Sequence, residues 1–200
     1  MTENIEIEFK NILSFAEFEL LKSFFNIGPE DFSTQVNHYF DTPSFSLKNH
    51  GCALRIRQKA QCLELTLKQP AEIGLLETNQ KIDEAAMMIM KESSILPEGP
   101  VKEGVSRLVT NPVELSCFGS LATERAEKAY EGGLIVLDHS TYLNSEDYEI
   151  EYEVTDEKRG FEIFRELLET LKIPMRKTDN KIKRFYKQKY SDLRQQDKIL

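Results

Sequence analysis

The sequence predicts an α+β fold: a β-barrel of about eight strands with a polar interior, flanked by helices. Three observations lead there. Seven or eight segments alternate apolar with charged residues, and most are joined by hairpins or short helical links. Their charged faces carry rows of like charge, where a wet outer face mixes Thr, Ser, Gln and Lys. Amphipathic helical stretches are available to cover the apolar faces.

The first strand is Ile5-Glu6-Ile7-Glu8-Phe9-Lys10. Side chains alternate between faces, so Ile5, Ile7 and Phe9 oppose Glu6, Glu8 and Lys10. Alone it reads as a half-buried strand with a solvated face; the recurrence of its pattern changes that reading. Ser14 with Glu17 is a capping box, and Leu13 staples against Phe18. The helix runs to about Phe25 with a stripe of Phe15, Phe18, Leu21 and Phe25, and Gly28-Pro29 ends it. Val36 to Asp41 is a strand closed by the turn Asp41-Thr42-Pro43-Ser44. Ala53 to Lys59 sets Leu54 and Ile56 against Arg55, Arg57 and Lys59. After a short link at Gln61, Leu63, Leu65 and Leu67 oppose Glu64, Thr66 and Lys68, as far as Pro70. Leu75 to Ile82 carries Glu77, Asn79 and Lys81 on one face.

The middle is helical: Asp83 to Glu92, with Met87, Met88 and Met90, then Val101 to Thr110 after a Pro- and Gly-containing loop. Strands resume at Leu121 to Tyr130, which holds Arg125. Glu131-Gly132-Gly133 turns into Leu134 to Leu143, which holds Asp138. After Asn144-Ser145, the strand from Asp147 to Val154 places Glu149, Glu151 and Glu153 opposite Tyr148, Ile150, Tyr152 and Val154. Glu157 to Lys172 is an amphipathic helix through Phe161, Phe164, Leu167, Leu168 and Leu171, ended by Pro174. Lys177 to Lys189 is strongly basic, and the last ten residues read as a frayed tail. No linker marks a boundary, so residues 1–190 read as one domain and 191–200 as a tail.

Composition narrows the function. The chain has 200 residues, 40% hydrophobic and 30% charged, enough for a sizeable core. A net charge of −8 argues against a nucleic-acid surface, which is basic. No apolar run approaches a membrane span, and the acidic, strand-like start is not a signal peptide. Cys52, Cys62 and Cys117 lack metal-ligand spacing and read as reduced thiols of a cytoplasmic protein. His38, His50 and His139 are isolated and receive no role.

The charged faces then demand partners. Arg55, Arg57, Lys59 and Lys68 on adjacent strands repel one another unless something anionic sits between them. Glu6 with Glu8, and Glu149 with Glu151 and Glu153, pose the mirror problem and ask for a cation. Hard oxygen donors in pairs suit Mg²⁺ or Mn²⁺. A closed barrel lets metal and polyphosphate meet inside, with Arg forks gripping phosphate oxygens.

At this point a resemblance appears. Glu6-Ile7-Glu8-Phe9-Lys10 resembles the ExExK signature of the CYTH superfamily, the triphosphate tunnel metalloenzymes. Arg55-Ile56-Arg57, Lys68, Arg125, Glu149-Ile150-Glu151 and a late lysine in Asn180-Lys181-Ile182-Lys183-Arg184 follow in that family's order over residues 4–187. Tyr39-Phe40-Asp41-Thr42-Pro43 is similar to its second-strand segment. The overall look is closest to its small single-domain bacterial members.

The resemblance implies a closed eight-stranded antiparallel tunnel and hydrolysis of inorganic triphosphate, nucleoside triphosphates or thiamine triphosphate. By the same analogy Glu6, Glu8, Glu149 and Glu151 hold Mg²⁺ or Mn²⁺, and Glu153 either extends that row or faces solvent. Lys10, Arg55, Arg57, Lys68, Arg125, Lys181 and, more weakly, Arg184 bind phosphates; Lys183 and Asp138 are weaker carry-overs still. Lys10, Lys68 and Tyr39 are the catalytic candidates, Tyr39 as partner of Lys68. Water attacks directly, since no His or Ser is placed for a covalent intermediate. Inorganic triphosphate is the preferred substrate, as a charge-lined interior offers little to an organic ring. The expected partner is thus a small-molecule triphosphate, bound by a monomer or homodimer without nucleic acid or membrane. An adenylate cyclase of the same fold, a non-catalytic polyphosphate or nucleotide sensor, and a β-rich domain whose charges all face water are the competing readings.

Overall fold

In the computed structural model, which describes residues 2–109 and 115–196, there are eight strands and six α-helices. The strands are β1 (Thr2–Leu13), β2 (Ser33–Asp41), β3 (Ala53–Lys59), β4 (Cys62–Pro70), β5 (Leu75–Ile82), β6 (Ser116–Tyr130), β7 (Gly133–Tyr142) and β8 (Ser145–Val154). The helices are α1 (Phe15–Phe25), α2 (Ser46–Asn49), α3 (Glu84–Ser93), α4 (Pro100–Leu108), α5 (Glu157–Thr170) and α6 (Lys181–Gln196). The strands close into an antiparallel barrel in the order β1-β5-β4-β3-β2-β6-β7-β8.

The chain forms two compact units, Met1–Ile7 with Thr34–Ser120 and Glu8–Ser33 with Leu121–Leu200. In the first, the apolar faces of β3 and β4 bury Leu54, Ile56, Leu65 and Leu67 against Leu47 of α2, Met90 of α3, and Val101 and Val105 of α4. Each such side chain contributes roughly 1.5–3 kcal/mol on leaving water. Register puts their polar neighbours in rows: Tyr39 opposite Arg55, Arg55 opposite Thr66, Thr66 opposite Asn79, and Lys68 opposite Glu77. Gly74 turns β4 toward β5 at φ +68°; a Cβ there would stand 2.1 Å from the Glu6 carbonyl oxygen of β1, so only glycine fits.

In the second unit, α1 and α5 cover the apolar face of β6–β8. Phe18, Leu21, Phe25, Phe164, Leu167 and Leu168 pack on Ala126, Ile135, Leu137, Ile150 and Tyr152. The Ser14–Glu17 capping box is present: each side chain accepts from the other's backbone N–H. Gly160 lets α5 approach the sheet, since a Cβ there would meet Val154 at 2.6 Å and Phe9 at 3.1 Å. On the opposite face the register aligns Arg125, Asp138 and Glu149 across three strands.

Several sequence expectations shift. Phe15 and Phe161, expected in buried stripes, are 61% and 42% exposed. Each ring lies against a sheet aromatic, Tyr148 and Phe9 respectively, both at 5.6 Å. Helix α1 stops at Asn26, in the left-handed region at φ 51°, before Gly28-Pro29 is reached. β6 starts at Ser116, earlier than Leu121, and α4 ends at Leu108; Thr110 lies outside the described residues. The basic segment is helix α6, whose backbone continues through Gln196 into the stretch expected as a tail; residues 197–200 lie outside the described residues.

Candidate active site

Alternation along β1, β3, β4 and β5 brings Glu6, Arg55, Arg57, Lys68 and Glu77 to the polar face of the first unit. Lys68 is the hub, its ammonium 2.5 Å from both Glu6 Oε2 and Glu77 Oε1. Arg55 Nη2 lies 3.9 Å from Glu77, an ion pair without a hydrogen bond, and Arg55 Nε is buried with no hydrogen-bond partner among the described residues. Arg57 Nε donates to Asn37 Oδ1 at 3.3 Å. Burial pushes the Glu77 carboxyl up, but Lys68 and Arg55 outweigh it and hold it below the usual range. Tyr39, opposite Arg55 in register, is 3% exposed with its ring stacked on Phe118 at 6.1 Å. Of the like charges predicted to repel, Lys68 and Arg55 thus share the carboxylate of Glu77. Glu77, read from the sequence only as one of a row, is the counter-ion; its register with Lys68 is the signal that assigns it.

The second unit carries a carboxylate cluster. Asp138 and Glu149 are fully buried and Glu151 nearly so. Lys181, from the first turn of α6, places Nζ 2.5 Å from Glu149 Oε1, 2.5 Å from Glu151 Oε1 and 2.8 Å from Asp138 Oδ2. Arg125 forks onto Asp138 at 2.8 and 2.6 Å and reaches Glu151 at 2.8 Å. Arg184 pairs with Asp147 at 2.8 Å and with Glu149, and Lys10 pairs with Glu8. Such pairing is what allows these charges to be buried at all.

The electrostatics follow the geometry. Burial, reinforced by neighbouring Glu151, pushes Glu149 up to about 7 despite Lys181 and Arg184. Burial acts upward on Glu151 too, but Lys181, Arg125 and Lys10 outweigh it and hold that carboxyl well below the usual range. For Lys181 and Arg125 burial pulls downward, and the carboxylates around them win, raising both well above their ordinary values. Lys10 is raised in the same way by Glu8, Glu151 and Glu149.

A strap fixes α6 at its start. Fully buried Asn11 of β1 accepts from Arg176 N at 2.6 Å and donates to the Pro174 carbonyl at 3.2 Å. Ile12 N donates to Thr178 Oγ1 at 2.8 Å. Asn180 then accepts from Lys183 N at 3.0 Å and caps the helix. Lys183, a weak carry-over, is instead 57% exposed and paired with Asp179. Glu153 is half-buried and acts on the charge of Arg125. Asp138, read weakly from the sequence, sits at the centre, and Asp147 was not singled out although it lies two residues from Glu149 on the same face of β8.

The CYTH domain family matches residues 4–186. The chain belongs to that family. It is 51% identical over 189 residues, 94% of this chain and 98% of the other, to the Bacillus subtilis protein named "Putative triphosphatase YjbK". A crystal structure from Bacillus halodurans, titled "putative adenylate cyclase", superposes with a TM-score of 0.89 at 45% identity, covering 93% of this chain and all of that one. HpAC1 from Hippeastrum, a "putative adenylyl cyclase" whose title states a dominant triphosphatase activity, gives 0.76 at 25% identity over 93% and 96% of the two chains.

The family's divalent metal can be tested against the donors present. Among the described residues, no three His, Cys, Asp or Glu side chains stand as a ready metal centre. Even so, oxygens of Asp138, Glu149 and Glu151 already converge on one cationic nitrogen, that of Lys181. Such a set of hard carboxylate oxygens fits Mg²⁺ or Mn²⁺ in chemistry, with the ammonium standing in for the ion.

Proposed function

We propose that this chain is a divalent-metal-dependent triphosphatase that removes the terminal phosphate of inorganic triphosphate or a related tripolyphosphate. The observation that carries this reading is Arg55 Nε, a buried cationic donor beside Arg57 and Lys68 with no acceptor among the described residues. A buried unpaired donor is costly, and a phosphate oxygen would satisfy it. The names of the relatives support the same reading.

In it, Arg55, Arg57 and Lys68, with Lys10, Arg125 and Lys181, hold the phosphate chain and offset the charge that grows on the bridging oxygen. Tyr39 orients Lys68 toward that oxygen. Glu6, Glu8, Glu149 and Glu151 would hold Mg²⁺ or Mn²⁺; the ion, when bound, supplies neutralisation of phosphate oxygens and a more acidic water. The Arg and Lys groups exclude bulk water and keep the terminal phosphorus open to in-line attack.

The test is phosphate release from inorganic triphosphate, ATP and thiamine triphosphate with Mg²⁺ or Mn²⁺. Turnover of inorganic triphosphate to one phosphate and pyrophosphate is expected. Tight binding of all three without turnover overturns the enzyme in favour of a sensor, and cyclic AMP with pyrophosphate from ATP would identify a cyclase. No described helix is long and apolar enough to cross a membrane. We place the protein in the cytoplasm as a monomer or homodimer acting on a small molecule.

A further inference from the structure

The family resemblance puts Arg184 among the phosphate ligands, but its contacts point elsewhere. Nε donates to Asp147 Oδ2 at 2.8 Å and Nη2 to Asp147 Oδ1 at 3.1 Å, a fork on a carboxylate. Nη1 donates to Glu149 Oε2 and to the Asp179 carbonyl. All three guanidinium nitrogens are therefore engaged within the protein. Asp147 is held in turn by the Tyr142 hydroxyl, which donates to Oδ2 at 2.7 Å. The Tyr142 ring packs on Phe185, the residue after Arg184, at 5.8 Å. Only 14% of the Arg184 side chain and 13% of that of Asp147 are exposed, and Glu149 is fully buried.

We propose that Tyr142, Asp147 and Arg184 are positioning residues: a linked chain from the Tyr142 hydroxyl through Asp147 and the Arg184 fork that fixes the Glu149 carboxylate for a divalent cation. The inference rests on the reading of Glu149 as a metal ligand. Loss of a partner that orients a ligating side chain typically weakens metal binding by roughly 10–100-fold. Asp147 acts twice here. It aims the guanidinium, and it balances a positive charge that would otherwise oppose a metal ion beside Glu149.

The experiment is Mn²⁺ binding to the full chain, without substrate, by titration calorimetry, with folding checked by circular dichroism. Asp147→Asn and Arg184→Lys should each weaken Mn²⁺ binding about 10-fold, and the double variant no more than the worse single one, because both break one linkage. With Mn²⁺ saturating, Arg184→Lys should leave the KM for triphosphate within about twofold of wild type, the span expected of a residue that makes no phosphate contact. Unchanged Mn²⁺ affinity in Asp147→Asn, or a raised triphosphate KM with unchanged Mn²⁺ affinity in Arg184→Lys, overturns the proposal and returns Arg184 to the phosphate. If wild type binds no Mn²⁺, the metal reading of Glu149 fails and this inference falls with it. Should Asp147→Asn not fold, Tyr142→Phe decides: a weakening smaller than tenfold supports the chain, and none refutes it.

Discussion

Lys181 reaches from α6 to Glu151 of β8, its ammonium nitrogen 2.5 Å from Oε1. The same nitrogen touches Glu149 and Asp138, so one ammonium pairs with three buried carboxylates, a load that it shares with Arg125 and Arg184. Removing one partner of a buried ion pair is far costlier than the pair is worth, about 3–5 kcal/mol. Lys181→Met should therefore lower the melting temperature sharply in EDTA. Mn²⁺ should restore more stability to the variant than it adds to wild type. Equal melting in EDTA would show that the carboxylates do not need this ammonium.

Arg55 behaves differently. Among the described residues its ion-pair partner, Glu77, is 3.9 Å away, and its Nε has no acceptor. Arg55→Met should raise apo stability by about 1 kcal/mol, since an unsatisfied buried donor disappears. It should also raise the KM for triphosphate at least tenfold. Chemical denaturation beside steady-state kinetics checks both; lost apo stability would mean the Glu77 pairing matters more than its distance suggests.

Glu6 and Glu8 point along one face yet serve different cations, Lys68 and Lys10. Changing both to Gln should abolish phosphate release while circular dichroism stays that of the folded protein. The amide keeps the shape but gives up the charge that holds a divalent ion. Activity surviving at ordinary Mg²⁺ would remove these two from the metal set.

Glu17 gives a pH-dependent case outside the site. Two hydrogen bonds from Arg176 at 2.8 Å hold its carboxyl below the ordinary value, and it also accepts from Ser14 N in the capping box. A depressed carboxylate stabilises the fold above the unfolded-state value and loses that contribution as pH falls through the folded one. Glu17→Gln should cost about 1 kcal/mol at pH 7, the scale of a helix cap. The gap to wild type should close as melts are taken down toward pH 3. A gap independent of pH would assign the effect to packing.

Strand faces, the capping box and the positions of most charged residues were legible because alternation and spacing are local. Counter-ions were not. Lys68 meets Glu77 and Glu6, and Arg184 meets Asp147 and Glu149, through register and helix docking that no short window contains. The rows of like charge ask for ligands from outside, and register adds what alternation alone does not show, the carboxylates of Glu6 and Glu77 beside Lys68 and Arg55. In α6 the basic residues hide the helical period, and Asn180, capping at Lys183 N, is the local sign of the helix. Phe15 and Phe161 depart from their stripes because helical spacing gives a face but not how far along the helix that face stays covered.

The internal pairing also bears on how a substrate arrives. Lys10, Arg55, Arg57, Lys68, Arg125, Lys181 and Arg184 stand beside Glu6, Glu8, Glu77, Asp138, Asp147, Glu149 and Glu151, so these groups nearly cancel. The net −8 of the chain is then carried by its other residues, so a polyanion approaching from a distance meets a net repulsive charge. Added salt should accelerate capture of triphosphate, the reverse of the usual response of an enzyme that attracts its substrate from a distance.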